Sequence, residues 1–460
     1  MMHEINASTE KTRILILGGG FAGVETARYL DQTAAKRTDV EVTLISRDNF
    51  TLFTPMLDEV ASGDLEPPHI SNPLRKLLRR VTILSANVKA IDLAARRVTI
   101  SYGVSDLLTR ELPFDHLVLA LGSETNYFGI PGIAEHALGI KTIGDAVMLR
   151  AAVIAMLELA SVEPDPTRRK RMLTFVVAGG GFAGTETVGA INDLARESLP
   201  HYGRVDPREV RVVLIHGGKV ILPELGEALG LYAQDKLRRR QVEIKLGAKV
   251  IAYTEGAVRC SDGEAIPTLT LVWAAGVTPS PILKDLPFKL QKGRVVVDST
   301  LEVPGAPGVW AVGDCAAIID PTSKVLYPPT AQHALREGRH AGENICARLK
   351  VKQARPFHYR TLGQLATIGR RTGVARILGL NFSGVAGWAL WRSVYLMKLP
   401  RLEKKMRVGL QWALDVLFER DLGQYVTLRD VESLNRLLEA VRREGYATAS
   451  RHVGSEKIAS

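Results

Sequence analysis

Leu17–Gly23 reads Leu-Gly-Gly-Gly-Phe-Ala-Gly, and Ala178–Gly184 reads Ala-Gly-Gly-Gly-Phe-Ala-Gly. Gly18, Gly20 and Gly23 space the first copy as G-x-G-x-x-G; Gly179, Gly181 and Gly184 space the second. Each copy follows a short apolar run, Ile14–Leu17 or Phe175–Val177, and precedes helix-like sequence. In that context the spacing is a dinucleotide-binding fingerprint. The first glycine makes the tight turn and the second lets backbone approach a pyrophosphate. The third packs helix on strand, and the helix N-terminus faces the phosphates. Phe21, Ala22 and Phe182 lie within the loops and join the glycines as cofactor-binding candidates. Two copies imply two dinucleotides.

Outward from the loops, strand-like and helix-like patterns alternate. Arg13–Leu17, a helix from Gly23 to about Ala35, and Val40–Ile45 form the opening βαβ of a doubly wound sheet. Phe114–Gly122 is a further buried strand ending on Gly122, and Arg150–Ala160 reads as a linking helix. Glu163–Lys170, with two prolines and a basic run, reads as a surface connection. The pattern then restarts with Leu173–Val177, a helix after Gly184, and Val210–Ile215. Leu269–Gly276 closes that unit on Ala275 and Gly276, and Val309–Asp314 is one more short strand. The expected fold class is α/β: two Rossmann-like dinucleotide-binding domains, for FAD and NAD(P)H, the second inserted in the first, plus a C-terminal amphipathic helical membrane-associating region. The expected boundaries are residues 11–145 and 277–350 for the first domain, 146–276 for the second and 351–460 for the C-terminal region. Residues 1–11 read as a disordered leader.

A chain of 460 residues, 46% hydrophobic and 24% charged, has room for two or three globular domains. Its net charge of +11 favours an anionic partner, whether nucleotide, membrane surface or nucleic acid. No nucleic-acid-binding motif accompanies the charge, so nucleic acid is not an expected partner. Met1–Thr12 is polar and lacks the apolar segment of a secretory signal. Cys260, Cys315 and Cys346 are scattered, with neither a C-x-x-C nor a metal-ligand spacing. A reducing cytoplasm fits, and no metal site is expected.

Near the C-terminus Phe382–Trp391 is densely apolar but too short for a spanning helix, which needs roughly 20 such residues. As a helix it places Trp388, Trp391, Tyr395 and Leu399 on one face. Lys398, Arg401, Lys404, Lys405 and Arg407 follow, and then an amphipathic row of Met406, Leu410, Leu414 and Leu417. Two readings stay open: attachment to a membrane interface, or helices packed on the core or on a second subunit.

Gly313–Asp314 ends the strand Val309–Val312. In flavoproteins with two dinucleotides, a Gly-Asp here bonds the ribityl chain of FAD; Asp314 also suits a helix N-cap. No paired cysteine motif lies near the first helix, so a flavin in this chain passes electrons to a small diffusible acceptor.

On these residues the sequence resembles the type II NADH:quinone oxidoreductases, single-subunit, non-pumping NADH dehydrogenases. The matching segments include Gly18–Ala27, Leu52–Asp64, Leu119–Gly132, Lys141–Arg150, Val176–Gly189, Ile221–Gly230, Val309–Ala316, Pro328–Gly338, Leu362–Gly373 and Trp388–Pro400. They run from about Lys11 to about Tyr425. The resemblance implies FAD and NADH as cofactors and a quinone as acceptor. It sets the flavin against Phe53–Pro55 (hence Thr54 and Pro55), Gly313–Asp314, and the helix start at Ala331, Gln332 and His333. Glu186 matches a glutamate near the nicotinamide and, with Gln332, is a catalytic candidate; read alone, it is a carboxylate favoured in a helix first turn. The family's quinone segment is Ala-Gln-x-Ala-x-Gln. Ala331, Gln332 and Ala334 fit it, whereas Arg336 replaces the second Gln. Gln332 and Arg336 are the quinone-binding candidates. Peripheral attachment to the cytoplasmic side of the cell membrane, an anionic lipid surface as partner, and a homodimer are the further expectations.

Nucleotide choice turns on the strand ends. An NAD site usually carries an acid there, but Val210–Ile215 runs into His216-Gly217-Gly218-Lys219, which leaves both NADH and NADPH open. In the FAD half the matching position is Ser46, followed by Arg47 and Asp48. Three rival activities are weighed. A sulfide:quinone oxidoreductase needs redox cysteines flanking the flavin, where only Cys315 is available. A ferredoxin or rubredoxin reductase should lack the amphipathic tail. A flavin-bound, NADH-responsive redox sensor would share the fold.

Overall fold

The computed structural model describes residues 11–103, 106–254, 256–424 and 426. The leader read over residues 1–11, Lys11 apart, and the end of the 351–460 region lie outside the described residues. Along the chain come β1 (Thr12–Leu17), α1 (Phe21–Gln32), β2 (Val40–Ser46), α2 (Leu57–Ala61), β3 (Thr82–Ser85), β4 (His116–Leu119) and α3 (Ile143–Val162). Next are β5 (Thr174–Ala178), α4 (Phe182–Ser198), β6 (Arg211–His216), β7 (Val242–Leu246), β8 (Thr270–Trp273), β9 (Val309–Ala311) and α5 (Ala331–Leu349). Last come β10 (Gly363–Thr367), β11 (Gly373–Ile377), β12 (Leu380–Ser383), α6 (Gly384–Lys398) and α7 (Leu402–Leu414).

The strands of the two large sheets read as continuous apolar runs because helices cover both faces. All five residues of β5 are buried, as are the last four of β1. The first sheet has the order β9-β4-β1-β2-β3 and the second β7-β6-β5-β8, every neighbour parallel. This is the two-Rossmann α/β fold expected. The chain leaves the first sheet after β4, builds the second, and returns at β9, which pairs with β4. An antiparallel pair, Ser123–Thr125 with Val277–Pro279, straps the outgoing segment to the returning one.

Two local readings change. The stretch 163–170 is not all loop: Asp165 caps a helix, Pro166–Met172, by accepting the Thr167 N–H at 2.8 Å. Proline at a first helical position lacks only a donor that has no partner there, so it starts this helix. Phe382 sits in a strand, because β10, β11 and β12 form a three-stranded antiparallel sheet ahead of α6.

The structure decides between the two readings of the ring face of α6. Trp391 is fully buried, Leu399 nearly so, and the Trp391 and Tyr395 rings meet edge to face at 4.7 Å. With Val408 and Trp412 of α7 they belong to the core beneath the second sheet, beside Phe53, Val188 and Ile191. Packing on the core is therefore what this face does. The exposed apolar side chains are Val385, Met397, Leu402, Met406, Leu410 and Leu414, on the other side of the two helices. The basic run is also less free than its sequence suggests. Lys404 is buried and donates to the Pro68 carbonyl, and Arg401 and Arg407 both pair with Glu403.

Candidate functional site

The two glycine loops leave the C-terminal ends of β1 and β5, the central strands of their sheets. Gly23 and Gly184 have no room for a side chain, since a Cβ would strike the carbonyl of Gly18 or Gly179 below it. Gly20 and Gly181 differ. Their φ angles, −78° and −76°, suit any residue, and a Cβ on either would meet nothing within 4 Å. Neither strain nor packing calls for glycine there. What remains is open space over a helix N-terminus, the shape that fits a pyrophosphate. Gly122, at the end of β4, faces open space too.

Gly313–Asp314 lies beside the first loop, with Gly313 against Ala22 and Ala334. The Asp314 carboxylate accepts the Ser123 hydroxyl at 2.5 Å, and Lys141 donates to the same hydroxyl at 2.8 Å. Beneath the turn, the Gly313 N–H donates to buried Glu337 at 2.7 Å. Burial pushes the Glu337 carboxyl up to about 7 and the Lys141 ammonium down. These residues fit an FAD whose ribityl chain lies at Asp314. Ser46 packs against Gly19 at the end of β2, and Arg47 follows it. Thr54 is exposed and Pro55 half-buried, while Phe53 sits edge to face between Phe21 (6.0 Å) and Tyr395 (5.9 Å).

In the second half Phe182 is half-buried at the start of α4, the backbone at Ala274 and Ala275 closes the end of β8 over Gly179, and Gly276 lies against the Phe128 ring. His216 lies at the end of β6, its Nδ1 accepting the Gly180 N–H at 3.2 Å.

The five residues of β10 bring the two halves together. At one end the Gly363 carbonyl accepts from Gln332 Nε2 at 3.0 Å, and Gln332 Oε1 accepts the Tyr359 hydroxyl at 3.1 Å. At the other, the Thr367 N–H donates to Glu186 at 3.2 Å and its hydroxyl donates to Asp58 at 3.1 Å. The ends of such a strand are about 13 Å apart. Arg336 is exposed, with its guanidinium 5.6 Å from the Tyr359 ring centre. His333 turns inward; its two ring nitrogens lie 2.7 Å from the Thr330 hydroxyl and 3.3 Å from that of Thr361. Burial lowers its pKa to about 4, so it is a neutral brace at the start of α5, beside Ala331.

Behind Glu186 lies a cavity of about 40 Å³ walled by Asp58, Glu59, Asp64, Trp388, Arg392 and Trp412. Glu59 accepts the Trp412 indole N–H at 2.8 Å, and the Arg392 guanidinium is held between the Trp388 and Trp412 rings. Burial raises the pKa of Glu186, Glu59 and Asp58, with Asp58 adding to the rise at Glu186; Asp58 itself is pushed up to about 7. Between about pH 4 and pH 7 the folded chain therefore holds a proton on Asp58 that the unfolded chain has released. Stability falls as pH rises through that window, and above it the full cost is present. Asn keeps an acceptor for Thr367 and removes the ionisation. The melting temperature of Asp58→Asn, relative to wild type, should accordingly be several degrees higher at pH 8 than at pH 5. An equal difference at both pH values would show that Asp58 does not titrate in this way.

The sequence reading missed Asp58, Glu59, Lys141, Glu337 and Arg392. The signal for the first pair was present: two adjacent acids inside the apolar run Met56–Ala61. Lys141 carried none, because only the fold sets it against Asp314.

The pyridine nucleotide-disulphide oxidoreductase family profile matches residues 12–338, and the NDH2 C-terminal domain profile matches 361–421. Type II NADH:quinone oxidoreductase Ndh of Mycobacterium tuberculosis is 34% identical over 97% of this chain and 97% of its own length. The type II NADH:quinone oxidoreductase of Staphylococcus aureus is 30% identical over 82% of this chain and 92% of its own. A structure of NDH2 from Plasmodium falciparum in complex with NADH superposes with a TM-score of 0.83 at 20% identity, covering 90% of this chain and all of that one. The profiles follow the two sheets and the β10–α7 region in turn, and the relatives match nearly end to end: the chain belongs to the type II NADH:quinone oxidoreductase family.

Proposed function

We propose that the region between Gln332 and Glu186, spanned by β10, is where this chain joins the two half-reactions of its family, oxidation of NADH by FAD and reduction of a quinone. The observation that carries this is β10. One strand fixes Gln332, on the helix that starts at the FAD half, and Glu186, on the helix that follows the second glycine loop. FAD supplies the redox chemistry, taking a hydride from NADH and giving two electrons to the quinone without pumping protons. The first loop, with Gly18, Gly20, Phe21, Ala22 and Gly23, holds the pyrophosphate; Ser46 and Arg47 flank the adenosine; Gly122, Thr54, Pro55 and Asp314 line the rest. Gly179, Gly181, Phe182, Gly184, Ala275 and Gly276 hold NADH. Burial, with Asp58 alongside, raises the pKa of Glu186 and so disfavours a charge beside the nicotinamide. Gln332 and Arg336 meet the quinone head.

The domain limits proposed remain 11–145 with 277–350, 146–276, and 351 onward. The exposed apolar side of α6 and α7 rests on an anionic membrane surface at the cytoplasmic side, with a second copy of the chain as the competing occupant. Among the described residues no helix is long and apolar enough to cross a membrane. Against a sulfide:quinone reductase stands Cys315: it is buried, its thiol is pushed up to about 12 by burial, and it faces the Gly122 carbonyl at 3.5 Å rather than another cysteine.

The test is a pair of half-reactions. The purified protein should be yellow, release FAD on denaturation, bleach with NADH and recolour with quinone. Arg336→Ala and Gln332→Ala should slow recolouring about tenfold or more while bleaching changes little, because these side chains meet the acceptor and not the nucleotide. Equal losses in both half-reactions would reassign them to supporting the flavin.

A further inference from the structure

Resting on that reading of the second glycine loop, we infer that the adenosine end of the loop carries a 2′-phosphate subsite made by His216, Lys219 and Lys249, and that NADPH is a second hydride donor. In a Rossmann unit the residue ending the second strand faces the adenosine ribose, and an acid there bonds the 2′-hydroxyl and repels a phosphate. Here β6 ends in His216, and no acid occurs between Glu209 and Glu224.

The structure shows how this end is built. The His216 ring lies in a slot left by two glycines. A Cβ on Gly180 would sit 2.7 Å from the ring's Cγ, and one on Gly218 would sit 2.7 Å from Nε2. Because Nδ1 accepts the Gly180 N–H, the neutral ring carries its hydrogen on Nε2 and presents a donor over Gly218. Lys249 follows β7, and its stem lies over Gly217, where a Cβ would come within 3.2 Å of Cγ. Its backbone is pinned to Ser261 by bonds of 3.0 and 2.8 Å, which sets the root of the side chain beside the turn.

Charge distribution on this sheet points the same way. Other cations on β6 and β7 are neutralised: Lys245 lies between Asp262 and Glu264, and Arg211 pairs with Glu243. No ion pair is found for Lys219 or Lys249 among the described residues. Lys219 follows the Gly217–Gly218 turn in sequence, the Lys249 stem lies over Gly217, and the His216 ring lies against Gly218. A 2′-phosphate brings close to two negative charges and three acceptor oxygens. A 2′-hydroxyl carries no charge and offers these donors a single oxygen.

The experiment uses FAD-loaded full-length protein, with two readouts. By calorimetry, 2′,5′-ADP should bind at least about tenfold tighter than 5′-AMP, the difference shrinking with salt as charge pairing requires. In anaerobic stopped flow, NADPH should bleach the flavin with an efficiency within about tenfold of NADH. His216→Glu and Lys249→Glu should each lower the NADPH-to-NADH ratio by about tenfold or more. If 2′,5′-ADP binds no tighter than 5′-AMP, or the charge-reversed variants leave the ratio unchanged, the subsite is overturned. Failure of NADH itself to bleach the flavin would instead overturn the assignment of the loop.

Discussion

Gly20→Val should give a folded, colourless protein, and Gly181→Val a yellow one that NADH fails to bleach. Both glycines are helix N-caps with unstrained extended backbone, and a side chain on either points into open space. The valine Cβ meets no protein atom within 4 Å. It is a poor cap, which costs about 1 kcal/mol at each site, and since the cost is shared it does not separate the variants. What does separate them is which pyrophosphate the new methyl groups displace. Phosphate oxygens bonded to the first N–H groups of a helix have no slack for two extra carbons. A displacement of about 1 Å costs on the order of 100-fold in a reaction that depends on stacked rings. At the first loop the loss falls on a resident cofactor. FAD should wash out, and the melting temperature should drop because the ligand stabilises only the folded state. At the second loop FAD stays and the bleaching rate falls by about 100-fold or more. Flavin content, circular dichroism and stopped-flow bleaching read all three effects. A yellow, fully active Gly20→Val would show that the open space over the first loop is not where a pyrophosphate lies.

The paired loops were legible because their chemistry is local. Turn, close approach and helix packing are each written within seven residues, and the strands around them are apolar runs that parallel burial demands. The residues around Glu186 were not. Asp58, Glu59, Arg392 and Trp412 come from three helices more than 300 residues apart in sequence at the extremes, and only β10 and the turn after it gather them against Glu186. β10 itself was illegible: Gly363–Thr367 has two glycine-flanked ends and no strict alternation to mark it. The two readings of the tail cannot be separated in sequence for a related reason. Tryptophan and tyrosine suit a membrane interface and a core equally in sequence, and the choice depends on whether an apolar surface already waits beneath the helix. Here Phe53, Val188 and Ile191 provide one.

The proposed membrane attachment therefore falls to the opposite side of the tail, and charge there should abolish it. Leu402, Met406, Leu410 and Leu414 recur every four residues along α7 and are 73%, 67%, 63% and 40% exposed. Leu417 and Phe418 continue the row, and Val385 and Met397 of α6 are exposed as well. Single exposed apolar residues are ordinary, but a row this long is what an interfacial helix presents. Fully burying each such side chain contributes roughly 1.5–3 kcal/mol, so even partial insertion of three of them amounts to more than about 100-fold in binding. The basic residues add less than their number suggests, because Lys404 is buried and Arg401 and Arg407 share Glu403. Intact protein should float with anionic liposomes and lose only part of that binding in high salt. Met406→Glu with Leu410→Glu should stay at the bottom of the gradient, with a melting temperature close to wild type because neither residue packs on the core. Truncation at Ser383 is not an equivalent test: it strips Trp391, Leu399, Val408 and Trp412 from the core and should unfold the second half. If intact protein ignores liposomes but runs as a dimer that the double substitution dissociates, the row is covered by a second copy of the chain, and membrane attachment through this face is wrong.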